Sequence, residues 1–498
     1  MSMQRLMVIG GGLAGCEAAW QAAQRGVPVD LYEMRPLRRG PAHVTDRLAE
    51  LVCSNSLRGA ALENAVGLLK EELARLDSAI IVSAREAAVP AGGALAVDRD
   101  LFAAAVERRI LEHPLITVHR EEVTTIPRDR PVIVACGPLP GDALAAEIDA
   151  LLRQAQDDTH VAPHDTDVAP HDTGVAPHDT GAAKHDTGGA GAASGGVTLS
   201  LSKGRLHYYD AASPIVAADS IDESQMYRKS RYDKGEGDDY LNIPLDREQY
   251  QELLHDLRTL ERHQPKEFEM DAGAVKYFEG CLPIEEMADR GDDVLRFGPL
   301  KPVGLRDPRT GKTPHAVVQL RKENAEGSAF NLVGFQTRLS WPSQKLAFGK
   351  FPGLANAEWL RLGVMHRNTF IDSPRLLDAS LRLRGHDALY FAGQITGAEG
   401  YVEAAACGMM AGIHAARQIL ALSPVAVPRV TALGAVVAHL QNTETHDFQP
   451  ANVTWAPFPP LEREIRDKKA RRGALAQRAL DALAAYAAAV APSVPAAI

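Results

Sequence analysis

Short apolar runs alternate with stretches of helical period along the first third of the chain. Residues 5–9 (RLMVI) predict a short buried strand, and 13–25 (LAGCEAAWQAAQR) predict a helix that Gly26 stops. VPVDLYE (27–33) predicts the next strand, so the chain opens as β–α–β. Residues 62–76 and 98–111 have the spacing of amphipathic helices, the second with Asp98 as its N-cap. PVIVACGPL (131–139) predicts a buried strand running into a turn. Further on, LHYYDAASPIV (206–216) and NLVGFQTRLSW (331–341) are strand-like, and 246–262 predict a helix. Residues 388–417 repeat the order strand, glycine turn, helix, and 461–486 predict a charged helix.

Between these segments the pattern breaks. From residue 161 the chain reads VAPHDTD, VAPHDTG, VAPHDTG, AAKHDTG, followed by GAGAASGG. Recurrent proline and the lack of apolar a/d positions exclude a coiled coil. His164, His171, His178 and His185 each precede an aspartate, a weak metal-binding pattern; the composition predicts a flexible insertion instead.

Composition narrows the class. Hydrophobic residues make up 45% and charged residues 24% of 498, as in ordinary globular proteins. A formal charge of −10 confines any nucleic-acid contact to local patches. The five cysteines are widely spaced without a CxxC pair, which points to a reducing cytoplasm and to neither a disulfide framework nor a metal site. Glycines and Glu17 interrupt the N-terminal apolar run, and no segment is long and apolar enough to span a membrane.

Chemistry enters with VIGGGLAG. Gly10, Gly12 and Gly15 have G-x-G-x-x-G spacing between a strand and a helix, with Gly11, Leu13 and Ala14 completing the turn. Such a turn brings backbone N–H groups and a helix N-terminus up to a pyrophosphate. Glu33 ends the second strand, where a carboxylate binds a ribose 2′-OH and disfavours a 2′-phosphate. The later segment FAGQITGAEGYVEAAACG supplies Gly393, Gly400 and Tyr401 at the start of another helix, which favours FAD over NAD as the bound dinucleotide.

Together with LVCSNSLRG, YFEGCLPIEEMADRG, DPRTGKTPHAVVQLRKEN, NLVGFQTRLSWPSQK and GVMHRNTFIDSP, these glycine segments resemble one family, the folate- and FAD-dependent tRNA (uracil-5-)-methyltransferases. The likeness runs from about residue 5 to about residue 486 and fails over roughly 145–205 and near 420–440. It implies an α/β fold, a Rossmann-like FAD-binding domain with an inserted α+β substrate domain. The implied division is 1–144 and 331–440 for FAD, 145–205 for the repeat insertion, 206–330 for the substrate and tRNA domain, and 441–498 for a helical tail. It implies transfer of a one-carbon unit from 5,10-methylenetetrahydrofolate through reduced FAD to C5 of the T-loop uridine of tRNA. NADH or NADPH acts as soluble reductant, and no stable protein partner is expected. Two other readings compete: an FAD-dependent oxidoreductase on a small molecule, and a tRNA-binding maturation factor.

C5 of uracil is a poor nucleophile until a thiolate adds at C6, and a thiolate is both soft and a good leaving group. The resemblance carries Cys281, in the Gly–Cys–x–Pro corner, over as that nucleophile and Cys53 as a second reactive cysteine near the flavin. Cys16, Cys136 and Cys407 read as buried small residues. Asn55, Ser56 and Arg58 are candidates to bind flavin or an anionic folate tail, or else to cap a helix starting near residue 60. Glu279 and Glu285 are candidate bases or solvated loop carboxylates. Arg338 and Trp341 are candidates to face a pterin, with core packing the alternative for Trp341. For tRNA the candidates are YRKSRYDKG (227–235) and IRDKKARR (465–472), against the alternative of solvated charged faces.

Overall fold

The computed structural model describes residues 4–160, 205–263, 277, 282–445 and 448–492. The heptad repeats, Glu279 and Cys281 lie outside the described residues.

The β–α–β opening forms as the apolar pattern predicts. Strands Leu6–Ile9 and Val29–Tyr32 flank the helix Leu13–Gln24 and pair in parallel, Ile9 opposite Tyr32. They belong to a five-stranded parallel sheet in the order 389–391, 132–134, 6–9, 29–32, 116–119. Four of these short strands carry Leu, Ile or Val at half or more of their positions and the fifth, 389–391, is Leu-Tyr-Phe, as expected of a sheet covered on both faces. Because the strands run in parallel register, the residues that follow them emerge along one edge. Gly10, Glu33, Ala135 and Ala392 therefore stand side by side there. In open α/β sheets that edge is where ligands bind.

The first helix is pinned on two sides. A Cβ at Gly15 would lie 1.8 Å from the Gly10 carbonyl oxygen. From the other side the late helix Tyr401–Ile419 crosses it through glycines. Added Cβ atoms at Gly408 and Gly412 would meet the Ala14 and Ala18 carbonyl oxygens at 2.1 and 2.5 Å. The small-residue text of the late helix is thus a close helix–helix contact.

A second layer is antiparallel. Its six strands run in the order 227–228, 240–245, 316–322, 329–332, 215–217, 359–361. One face carries a separate hydrophobic core, with Leu241, Ile243, Val318 and Leu320 under the helix Arg247–Thr259. That helix starts at a capping box, Asp246 with Gln249. The expected strand over 331–341 is shorter, Ala329–Leu332, because the chain turns at Gly334 with φ +82°. The run 206–216 divides into two strands of different sheets, Arg205–Ala211 and Ile215–Ala217, on either side of Pro214. Arg205–Ala211 pairs with Met365–Ile371 as a two-stranded ribbon. The charged tail helix is Lys468–Val490, starting where Asp467 accepts the Ala470 N–H at 2.7 Å. The architecture is α/β: a Rossmann-like parallel sheet with an antiparallel α+β layer inserted between its strands 132–134 and 389–391.

Candidate active site

A cleft of about 440 Å³ opens at the carboxyl edge of the parallel sheet. Gly10, Gly11, Gly12, Leu13, Ala14, Glu33, Cys53, Gly393, Gly400 and Tyr401 all line it. Gly10 has φ +108°, and a Cβ there would sit 2.4 Å from the Ala135 carbonyl oxygen. A Cβ on Gly12 would meet only open space, and no side chain caps the helix that starts there. The floor of the cleft is therefore bare backbone at a helix N-terminus, which fits a pyrophosphate. Gly15 stands behind the cleft and serves the helix–strand contact described above.

Glu33 sits where the second strand ends, and its carboxylate accepts the Gly11 N–H at 2.9 Å and the Arg35 N–H and Nε–H at 3.0 and 2.8 Å. Burial pushes this carboxyl up, and the Arg35 hydrogen bonds and charge more than reverse it, so it is held below its ordinary range. Arg35, itself buried, also pairs with Glu50 at 3.0 Å. A ribose hydroxyl placed against Glu33 shares acceptors that Arg35 already uses.

At the opposite wall the late helix begins at Gly400, φ +111°, without a side-chain cap. A Cβ at Gly400 would lie 2.5 Å from Glu403 Oε2, and Glu403 is ion-paired with Arg58. Gly393, φ +85°, approaches Ala14 so closely that a Cβ would be 2.7 Å from the Ala14 Cβ. Two helix N-termini without side-chain caps thus face one cleft, the first open and the second flanked by the side chains of Glu403, Arg58 and Asn452.

Cys53 lies on a loop between them. Its N–H donates to the Tyr401 hydroxyl at 2.8 Å. Three arginines, far apart in the chain, hold this loop, two through its backbone carbonyls and one through its side chains. Arg99 donates to the carbonyls of Leu51 and Cys53, the latter at 2.7 Å, and Arg361 to that of Val52 at 2.7 Å. Arg321 reaches the Ser54 Oγ and Asn55 Oδ1 at 2.8 and 2.9 Å, while the Asn55 amide donates to the Val97 and Lys322 carbonyls. The inserted layer thereby fixes the cysteine loop of the parallel-sheet layer. Burial pushes the Cys53 thiol up to about 12, the Asp210 carboxylate adds to the rise, and Arg99 and Arg361 oppose it. Cys16 and Cys407 are fully buried, as expected, whereas Cys136 is half-buried and lines the cleft.

Comparison with known proteins decides the family. The model of the family described as glucose inhibited division protein A matches residues 5–423. The chain is 52% identical over 473 residues to methylenetetrahydrofolate--tRNA-(uracil-5-)-methyltransferase TrmFO of Geobacter sulfurreducens, covering 95% of this chain and 96% of that one. It is 50% identical to the protein of the same name from Heliobacterium modesticaldum, covering 96% of each. The chain belongs to this methyltransferase family. The fold agrees: Aquifex aeolicus GidA superposes with a TM-score of 0.64 at 15% identity, covering 99% of this chain and 77% of that one.

Several other candidates sit differently in this family member than their sequence suggests. Ser56–Gly59 is a strand and the next helix starts only at Ala65, so Asn55, Ser56 and Arg58 do not cap a helix near residue 60. Ser56 and Arg58 line the cleft, while Asn55 is a buried brace. Glu285 is buried rather than solvated: it accepts from the Thr337 hydroxyl and from the Arg338 N–H at 3.3 Å, and burial raises it. Arg338 pairs with Glu286 at 2.6 Å, and Trp341, 55% exposed, lies outside the core. In the 227–235 patch, Tyr227 is buried and donates to the Leu305 carbonyl, Arg228 pairs with Glu223, Lys229 with Asp233, and Arg231 donates to the Lys301 and Val303 carbonyls. Arg466, Lys468, Lys469 and Arg471 of the second patch are exposed.

The residue pattern alone missed the other wall of the methyltransferase cleft. Asp210, His366, Asn368, Gln394 and Glu399 line it. The available signal was weak: YYD (208–210) and HRN (366–368) carry polar groups at successive positions, so they do not say which face of the ribbon meets the cleft. Glu399 accepts from the Tyr208 hydroxyl and from Gln394 Nε2 at 2.6 Å. Burial, reinforced by the Asp210 charge, raises its carboxyl from 4.5 to about 7. A folded value above the unfolded one means that its contribution to stability is complete below the unfolded value and is lost as pH rises through 7. Glu399→Gln is therefore expected to lose less thermal stability than wild type between about pH 5 and about pH 8. Melting curves at the two pH values check this, and parallel losses in both proteins would contradict it.

Proposed function

We infer that the protein transfers the one-carbon unit of 5,10-methylenetetrahydrofolate to C5 of the T-loop uridine of tRNA, making ribothymidine, with FAD bound and NADH or NADPH as soluble reductant. The observation that carries this reading is the near-full-length identity to relatives bearing that name, in a chain whose cleft joins a dinucleotide cradle to a cysteine loop. The cytoplasm is the compartment that its widely spaced cysteines, without a CxxC pair, suit. Among the described residues no helix is long and apolar enough to cross a membrane.

Gly10 to Ala14 and the start of the first helix hold the pyrophosphate, and Glu33 the adenosine ribose. Gly400 and Tyr401 close the far end. FAD, when bound, supplies the reducing equivalents that turn a methylene into a methyl group. The chain contributes a thiolate. Addition of Cys281 Sγ to C6 of uracil spreads the electron pair over C5 and O4, so C5 attacks the electrophilic carbon. Loss of the C5 proton to a base lets the carbon–nitrogen bond to the carrier break, leaving an exocyclic methylene at C5. A hydride equivalent, which NAD(P)H-reduced FAD would supply, would add to that methylene as the thiolate leaves C6 and the ring is restored. The resemblance around KYFEGCLPI supports this assignment. Exposed basic residues of 465–472 offer a phosphate-tracking surface at the start of the tail helix.

The test supplies unmodified tRNA transcript, methylenetetrahydrofolate labelled in its one-carbon unit, and NADH or NADPH. Label is expected in a single uridine and only when reductant is present. NAD(P)H oxidation without label in RNA would instead indicate an oxidoreductase acting on a small molecule.

A further inference from the structure

The loop 231–235 holds one aromatic ring in the open on a backbone that does not favour it. Tyr232 and Asp233 are consecutive non-glycine residues with positive φ, +58° and +52°. A bulky side chain is a rare occupant of that region, where glycine, asparagine or aspartate sits at lower cost. The turn alone is better served by glycine at 232, so what the tyrosine adds is its ring.

The ring does little for the fold. Tyr232 is 56% exposed, and its hydroxyl has no hydrogen-bond partner among the described residues. One edge rests on backbone: a Cβ at Gly304 would lie 2.8 and 2.9 Å from Tyr232 Cε1 and Cδ1. The Tyr232 N–H donates to the Gly304 carbonyl at 3.3 Å, and Arg231 donates to the Lys301 and Val303 carbonyls at 2.8 and 2.6 Å. The ring is thus propped in one place with much of its surface toward solvent. A fixed, open aromatic ring is a platform for another flat ring.

Its position says which ring. Arg231 Nη2 reaches Gln319 Oε1 at 3.1 Å, and two residues along that strand, on the same face, Arg321 lines the cleft. On the other side of the loop Lys234 lies over Gly93, where a Cβ would be 3.5 and 4.0 Å from its Cδ and Nζ. The Gly93 carbonyl accepts the Ala60 N–H at 2.9 Å, directly after the strand Ser56–Gly59, whose Ser56 and Arg58 line the cleft. Tyr232 and Lys234 therefore stand on the rim of the cleft. Asp233 between them is engaged by Lys229 at 2.5 Å, whereas Lys234 is exposed and has no ion pair among the described residues. A uridine that enters such a cleft leaves its stack, and the base next to it loses a partner. Aromatic side chains cover the unstacked bases of single-stranded loops, and cations beside them take the phosphates.

We propose that Tyr232 stacks on a T-loop base next to the target uridine and that Lys234 takes a neighbouring phosphate. This rests on the tRNA reading above and names the residues that hold the loop while one base is in the cleft.

The test is binding of a fluorescein-labelled T-arm RNA hairpin to the FAD-loaded enzyme, read by anisotropy over a series of salt concentrations, beside melting curves. Tyr232→Gly relieves the backbone and is expected to melt at or above the wild-type temperature, yet to bind RNA about 5- to 100-fold more weakly. Tyr232→Phe, which keeps the ring, is expected to bind within about twofold of wild type. Lys234→Gln is expected to weaken binding and to flatten the slope of log affinity against log salt by about 0.7 to 0.9. FAD content is expected to stay unchanged in all three. Wild-type RNA affinity in Tyr232→Gly overturns the proposal, and so does a loss in Tyr232→Phe as large as in Tyr232→Gly. Melting of Tyr232→Gly well below wild type would make the ring a structural prop and overturn it as well. Wild type that binds no T-arm RNA would sink the tRNA reading itself and take this proposal with it.

Discussion

Gly15→Ala protein is expected to purify without flavin and to melt well below wild type. The new Cβ would lie 1.8 Å from the Gly10 carbonyl oxygen, so helix and strand must part. The helix has nowhere to go, because Gly408 and Gly412 of the late helix already bring backbone against Ala14 and Ala18 on its other side. Overpacking against backbone on both faces costs about 3 kcal/mol. Any movement also shifts the Gly10–Gly12 turn and the helix N-terminus that form the floor of the cleft. Flavin absorbance per protein and the melting temperature measure both effects. Gly473→Ala is the control: it is an exposed position of the tail helix with nothing within 4 Å of the new atom. That change is expected to stabilise by up to about 1 kcal/mol. A flavin-replete Gly15→Ala protein with wild-type melting would contradict the account of this helix.

Cys281→Ala is expected to lower methyl transfer about a thousandfold or more, since without the thiolate C5 never becomes nucleophilic. Flavin content and the rate of flavin reduction by NAD(P)H are expected to stay at wild-type values, because neither needs the C6 adduct. Single-turnover transfer of labelled one-carbon unit into tRNA, run beside the flavin spectrum, separates the two functions. Retained methyl transfer would contradict the role assigned to Cys281. Equal loss of flavin reduction would mean that the residue supports the cofactor and not the uracil.

What the residue pattern revealed is what local chemistry dictates. The glycine turn after Ile9 needs φ values and close approaches that only glycine supplies, so VIGGGLAG announces its geometry within a few residues. Asp98 and Asp246 announce helix starts for the same local reason. The arginine clamp was not legible. Arg99, Arg321 and Arg361 come from three distant elements, and each looks like any surface arginine until the two layers meet around the Cys53 loop. Nor was the ribbon wall: Asp210 and Asn368 come together only through the pairing of strands 205–211 and 365–371. The basic string at 227–235 misleads in the opposite sense. Its charges are largely taken up by Glu223, Asp233 and backbone carbonyls of the 301–303 turn, partners that composition does not reveal.

The central claim is that a cysteine of this chain attacks C6 of a tRNA uracil, and that this cysteine is Cys281. A T-arm RNA with 5-fluorouridine at the target position arrests the reaction after addition, since the fluorine cannot leave as the C5 proton does. FAD-loaded wild type, Cys281→Ala and Cys53→Ala would each be incubated with it, methylenetetrahydrofolate and NAD(P)H, then run on a denaturing gel. A covalent protein–RNA band is predicted for wild type and Cys53→Ala and is absent for Cys281→Ala. A band lost only in Cys53→Ala would reverse the two cysteine roles, and no band in any flavin-replete protein would contradict the methyl-transfer account.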